Sequence, residues 1–207
     1  MATIVEYDTD TAFADEEVLT RLAPRQLAPK RPATVAEYLA MPEGAPFFQF
    51  IDGESIEMPA PTLFHQKIIR RLLNKMSLLI DAHQIGELYP APVDVYFSDE
   101  DYFQPDIVFV SNERLHILTP KNIQGAPDLV VEVLSPSTGY YDLSHKKAVY
   151  EQEGVREYWL VYPDELRIEV LQNTDNGFIV LNQARKQGVV RSAVLEGFSL
   201  DITEIFE

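Results

Sequence analysis

Three side chains stand out as able to do chemistry together: Asp106, Glu132 and Lys146. Glu132 interrupts DLVVEVLS (128–135), a short apolar and β-branched run bounded by Gly125 and Pro127 before it and Pro136 after it. Such a run reads as a buried strand, and a carboxylate inside one is costly unless its charge is compensated. Alternation along the strand puts Asp128, Val130, Glu132 and Leu134 on one face. Asp106 follows Pro105 in a second strand candidate, YFQPDIVFVS, and shares a face with Val108 and Val110. If the two strands are neighbours, facing side chains lie roughly 5 Å apart, close enough for both carboxylates to hold one hard cation. Mg²⁺ prefers oxygen ligands and keeps several waters, so the two acids and a backbone carbonyl such as that of Val133 suffice to bind it. A metal held there lowers the pKa of a bound water and neutralises charge on a phosphodiester. In DLSHKKAVY, Asp142, Lys146 and Tyr150 are spaced by four and line up on one side of a helix. A lysine delivered from that helix can orient the attacking water or stabilise developing negative charge.

The same residues also describe a structure without chemistry, a buried Glu132–Lys146 ion pair, since such pairs perturb pKa values just as sites do. Asp128 reads as a strand-start acid exposed near a loop. Asp142 reads as the N-cap or first-turn acid of a helix that runs to about Glu153 and is stopped by Gly154. Lys147 is turned about 100° from Lys146 and reads as solvated; Tyr150 reads as a packing residue. A nucleophile built on Ser135 or Ser137 lacks a base at any recognisable spacing.

The elements that must position these groups follow from punctuation and periodicity. Residues 24–32, PRQLAPKRP, hold three prolines and three basic residues and predict an extended linker, so residues 1–33 are expected to form a flexible N-terminal arm and 34–207 a single domain. T-V-A-E at 34–37 is a capping-box pattern that opens a short helix. FFQFIDGESIEMP contains an Asp-Gly step, the signal of a tight hairpin. From His65 the apolar positions Ile68, Ile69, Leu72, Leu73, Met76, Leu79 and Ile80 follow helical spacing, with Lys67, Arg70, Arg71 and Lys75 mostly on the other side. That basic side reads as a solvated face, or else as a phosphate-facing one. ELYPAPVDVYFS, YFQPDIVFVS, DLVVEVLS and REYWLVYP are strand candidates. LRIEVLQN and GFIVLNQA predict a hairpin around Asn176–Gly177, and VLEGFSLDITEIF a further edge strand or a short helix. Mixed strands and helices make this an α/β or α+β chain.

Composition removes several functions. The absence of cysteine excludes disulfides, thiolate metal sites and thiol nucleophiles together. The four histidines form no HExxH or HxH grouping, and no GxxxxGK[ST] or GxGxxG sequence occurs. No apolar run is long enough to span a bilayer and no basic, apolar leader is seen, so the expected setting is the cytoplasm, without a membrane partner. The formal net charge of −16 opposes long-range attraction to nucleic acid and demands a local means of recognition.

FFQFIDGE…MPAP…H, QPDIVFV, GAPDLVVEVLSPST and DLSHKKAVYEQEGVREYWLVYP together resemble the Uma-type restriction endonucleases of bacteria, a branch of the PD-(D/E)XK nuclease superfamily. The resemblance runs from about Thr34 to the C-terminus. It implies a restriction-endonuclease-like mixed central sheet flanked by helices, with an added β-hairpin region, and Mg²⁺-dependent cleavage of DNA, with Mn²⁺ as a substitute metal. It matches Asp106 and Glu132 to the two acids. The superfamily lysine ordinarily lies two residues after the second acid, where this chain has Leu134, and the resemblance assigns its part to Lys146 instead. It also implies a homodimer. Two positions depart from the pattern: Gln49 stands where relatives have a glutamate, and Tyr162 where they have an aspartate. The other reading of such a chain is a catalytically inactive nuclease fold that serves as a binding or interaction protein.

Overall fold

The computed structural model describes residues 31–42, 45–136 and 139–207. Most of the expected N-terminal arm lies outside the described residues. A short helix, α1 (Val35–Leu39), opens at Thr34 as expected: the Thr34 side chain accepts from the Glu37 amide at 3.1 Å, and Glu37 reaches back one residue past the cap to accept from the amide of Ala33 at 2.7 Å. Strands β1 (Phe48–Ile51) and β2 (Glu54–Glu57) form the expected hairpin. Asp52 and Gly53 both take positive φ, 52° and 72°, which is why Asp-Gly suits this turn. The amphipathic run becomes α2 (Leu63–His83), N-capped by Thr62.

ELYPAPVDVYFS and YFQPDIVFVS were each expected as one strand; each makes two. Prolines are the reason, because a residue without an N–H cannot continue a ladder. The first divides into β3 (Gly86–Pro90) and β4 (Val95–Tyr96), and the second into β5 (Tyr102–Phe103) and β6 (Ile107–Ser111). The halves go to different sheets. β4 and β5 join β1, β2 and β7 (Ile123–Gln124) in the order β2-β1-β5-β4-β7. β3 and β6 join β8 (Leu129–Val133), β9 (Glu157–Tyr162), β10 (Arg167–Thr174) and β11 (Gly177–Arg185) in the order β11-β10-β9-β8-β6-β3. Within this six-stranded sheet only β8 and β9 run parallel, joined by a crossover through α3 (Gly139–Leu143) and α4 (His145–Glu153). β12 (Val189–Arg191) and β13 (Ser199–Asp201) pair separately, and α5 (Thr203–Phe206) ends the chain.

The β10–β11 turn falls on Asp175–Asn176, one residue earlier than expected, and Gly177 begins β11. A single helix from Asp142 to Glu153 is also corrected. The chain breaks at Ser144, whose hydroxyl donates back to the Tyr140 carbonyl at 2.6 Å and whose backbone leaves the helical region. Serine hydroxyls offer the backbone this alternative to a continuous helix.

The sheet's two faces bury different partners. Ile107, Phe109, Leu129, Val131 and Trp159 pack against α2 and the C-terminal segment. Val108, Val110, Val130, Tyr158 and Leu160 pack on the other side with Tyr150 of α4. Glu132 belongs to this second face by alternation. Much of the basic side of α2 packs on the C-terminal segment: Arg71 Nη1 donates to the carbonyls of Glu204 and Ile205 at 3.1 and 3.2 Å, Lys67 to that of Glu207, and Lys75 pairs with the Glu204 carboxylate, while Arg70 is exposed to solvent.

Candidate functional site

β6 and β8 are antiparallel neighbours in the register Ile107↔Val131. One step further along that register brings Asp106, at the mouth of β6, beside Glu132. Asp106, just before β6, still accepts the Ala91 amide at its own carbonyl at 2.9 Å, and its carboxylate turns onto the neighbouring strand: Asp106 Oδ2 accepts the Val133 amide hydrogen at 2.6 Å. The two acids and the Val133 backbone, singled out separately in the sequence, are therefore brought to one place.

Lys146 comes from the first turn of α4 and is 2% exposed. Its Nζ lies 2.9 Å from Glu132 Oε1 and 2.9 Å from Asp142 Oδ1, and 5.8 Å from the centroid of the Phe103 ring. Tyr150 donates its hydroxyl to Glu132 Oε1 at 2.9 Å, so it is more than a packing residue. Asp142 is a first-turn acid, of α3, and also a buried partner of Lys146, and its helix is pinned where Tyr158 donates to the Asp142 carbonyl at 3.0 Å. Asp128 is likewise not exposed: it is buried beneath Arg156 and Arg114 and accepts from the Ser111 amide at 2.7 Å.

Sequence reasoning missed His65. It stands in the first turn of α2, where the Thr62 cap holds its amide, and its Nε2 lies 3.0 Å from the Val133 carbonyl and 3.3 Å from Asp106 Oδ2. It touches residues 68 and 41 positions away in sequence, so no local spacing could have shown it.

The electrostatics follow from two carboxylates sharing one buried ammonium, with Asp106 close to Glu132. Burial pushes the Glu132 carboxyl up to about 8; Lys146 offsets part of this, while Asp142 and Asp106 add to it. Burial also raises Asp142, again partly offset by Lys146. The attraction of Glu132 and Asp142 holds Lys146 above its ordinary range despite its burial. These directions agree: the lysine keeps its proton, and the acids compete for a charge it supplies once. For His65 burial works downwards, but the hydrogen bond and charge of Asp106 outweigh it. Among the described residues, no three His, Cys, Asp or Glu side chains are grouped as a ready set of metal ligands.

Gln49, in the position of a family glutamate, is fully buried away from these acids' contacts. Its Oε1 accepts from the Gln104 amide at 3.1 Å and its amide nitrogen meets the Met58 sulfur. Tyr162 carries Arg167 stacked 3.4 Å from its ring centroid.

Comparison with known proteins agrees with this architecture. A putative nuclease of the DUF820 group from Anabaena variabilis ATCC 29413 has a similar crystal structure, with TM-score 0.68 and 22% sequence identity, covering 84% of this chain and 98% of that one. An uncharacterised protein of Synechocystis sp. (strain ATCC 27184 / PCC 6803 / Kazusa) is 28% identical over 142 residues, 67% of this chain and 80% of its own. The Uma2 family, described as putative restriction endonuclease, matches residues 35–203, most of the chain. By the extent of that match and the fold that accompanies it, this chain belongs to the Uma2 family.

Proposed function

We propose that the protein is a Mg²⁺-dependent DNA endonuclease that hydrolyses phosphodiester bonds, with residues 34–207 as its catalytic unit, 1–33 as an arm, and the cytoplasm as its setting. One observation carries this reading: Glu132 and Asp142 share the single Lys146 ammonium, and burial together with the nearby charges of Asp142 and Asp106 raises the Glu132 carboxyl. A divalent cation supplies the missing positive charge. The donors present suit a hard ion, being two carboxylates and the Val133 carbonyl, with waters completing the shell. Mn²⁺ fits the same oxygen set. When bound, the metal would acidify a water and neutralise charge on the scissile phosphate.

The chain's own residues do the rest. Asp106 is held in place by the Val133 amide and His65. Tyr150 and Lys146 hold Glu132 through Oε1, and the Lys146 ammonium orients the attacking water or stabilises the negative charge that develops on the phosphate.

A second reading, a nuclease fold kept for binding without turnover, draws on the same Glu132–Lys146 pair and on Gln49. Plasmid nicking with Mg²⁺ or Mn²⁺ separates them. The nuclease reading expects nicking by the wild type and none by Glu132→Gln or Lys146→Ala. Identical nicking by wild type and variants would mean a contaminant and end the claim.

A further inference from the structure

We propose that a cleft beside the site receives one unpaired nucleobase of a DNA strand, stacked on Tyr140 and donating an amine to Asp52 or Glu54. This rests on the nuclease reading and narrows its substrate to unpaired or locally opened strands rather than intact duplex. The cleft, about 560 Å³, opens between the β1–β2 turn and the α3–α4 corner, with Asp52 and Glu54 on one wall and Tyr140, Tyr141, Ser144 and His145 on the other. That volume lies in the range of small-molecule pockets, roughly 300–1,000 Å³.

Both walls are tied to one carboxylate. Asp101 Oδ1 meets His145 Nε2 at 2.6 Å and accepts from the Asp52 amide at 3.3 Å, so the turn and α4 keep a fixed distance without any ligand. Tyr140 is 78% exposed, and Tyr141 meets it edge-on at 5.8 Å and 74°. An exposed tyrosine ring is a platform for a base of any sequence, because every base has a π face. His145 of the cleft wall directly precedes Lys146 on α4, so the cleft lies along the element that carries the site's lysine.

Charge selects the occupant. Carboxylates at the cleft wall repel phosphate but accept hydrogen bonds from the amines of cytosine, adenine and guanine. Thymine offers one N–H flanked by two carbonyl oxygens, which faces a carboxylate badly. Duplex tracking, by contrast, needs free cations. No lysine or arginine lines this cleft, and Lys67, Arg71 and Lys75 are engaged by the C-terminal helix, Arg114 and Arg156 by Asp128, and Arg167 and Arg185 by Glu165.

The test is fluorescence anisotropy of labelled oligo-dC, oligo-dT and a duplex, with Mg²⁺, using Glu132→Gln protein so that the probe survives. The expected order is oligo-dC tightest, then oligo-dT, then duplex. Tyr140→Ala, added to that protein, should weaken oligo-dC binding about tenfold. Asp52→Asn with Glu54→Gln should remove the dC-over-dT preference, with an unchanged melting temperature showing that the fold is kept. Duplex bound as tightly as single strands, or no effect of Tyr140→Ala, would overturn the cleft assignment while leaving nicking by the wild type to support the nuclease. Single-strand binding as expected, with no metal-dependent cleavage of any substrate, would overturn the nuclease and leave the cleft assignment standing. No binding of any oligonucleotide would overturn the cleft assignment itself.

Discussion

A buried carboxyl raised to about 8 makes Glu132 the residue through which acidity and metal both reach stability. Its folded-state pKa lies above its ordinary value, so the folded protein binds the proton more tightly than the unfolded chain does. This contribution is fully present below the ordinary carboxyl range and is lost as pH rises through about 8. Thermal melts with chelator should therefore show the metal-free wild type losing stability across that window, and Glu132→Gln losing less. Excess Mg²⁺ should restore the wild type at the alkaline end, by mass action on the native state, and leave Glu132→Gln unchanged. Asp142 alters what the variant costs. It keeps Lys146 paired after Glu132 is neutralised, so the full penalty of stranding an ammonium, about 3–5 kcal/mol, does not apply. A loss of that size in the chelated variant, with no metal response in the wild type, would make Glu132 purely structural. Glu132 and Lys146 were legible in the sequence because an acid inside an apolar strand is conspicuous and a four-residue spacing projects a lysine from one helix face. Asp142 and Tyr150 shared that spacing, yet their ordinary roles as cap and packing residue hid their contacts. His65 had no local signal, since its partners come from β8 and from the entry to β6.

At the level of elements, the basic side of α2 answers a question that periodicity posed and could not settle. A helix face bearing Lys67, Arg71 and Lys75 looks the same in sequence whether it meets water, phosphate or another helix end. Here it meets the carbonyl end of α5, where cations are favoured by the helix dipole and by unsatisfied carbonyls. Arg71→Ala should cost about 1–3 kcal/mol in chemical denaturation, as expected for charge-assisted bonds in a half-buried place. Its oligonucleotide affinity should stay that of the parent; a selective fall in affinity with unchanged stability would return this face to the phosphate. The strand splits at Pro90–Pro92 and Pro105 carry a related lesson. The prolines were visible, but that each would send its two halves to different sheets depends on pairings far along the chain. The split before β6 matters for the site, because it puts Asp106 at the strand's entry, where its carboxylate meets the Val133 amide and His65.

Across the whole molecule, the six-stranded sheet ends in β11, whose Ile179, Val180 and Leu181 are exposed at 50%, 50% and 38%. An apolar outer strand without a charge in that run lacks the usual protection of an edge. We expect a second copy to cover it by antiparallel edge pairing, giving a homodimer. Two chains of net charge −16 repel, so the dimer should tighten as salt is added. Light scattering at tens of micromolar (roughly where a standard-sized interface holds) should report the dimer, and Val180→Lys should report a monomer with an unchanged melting temperature. A monomeric wild type at high salt would remove the expectation. No helix of the described residues is long and apolar enough to cross a membrane.

Asp106 takes the hydrogen of the Val133 amide, and that bond also makes the site observable. In a strand a backbone N–H is ordinarily held by a carbonyl, whose strength as an acceptor does not change. Here the acceptor is a carboxylate that a cation would also claim, and the next atoms of the same residue lead to the Val133 carbonyl facing His65. Any loss or gain of charge on Asp106 is felt by one amide of the main chain. Val133 is thus a built-in resonance for the occupancy of the centre, readable in the resting protein without substrate or turnover.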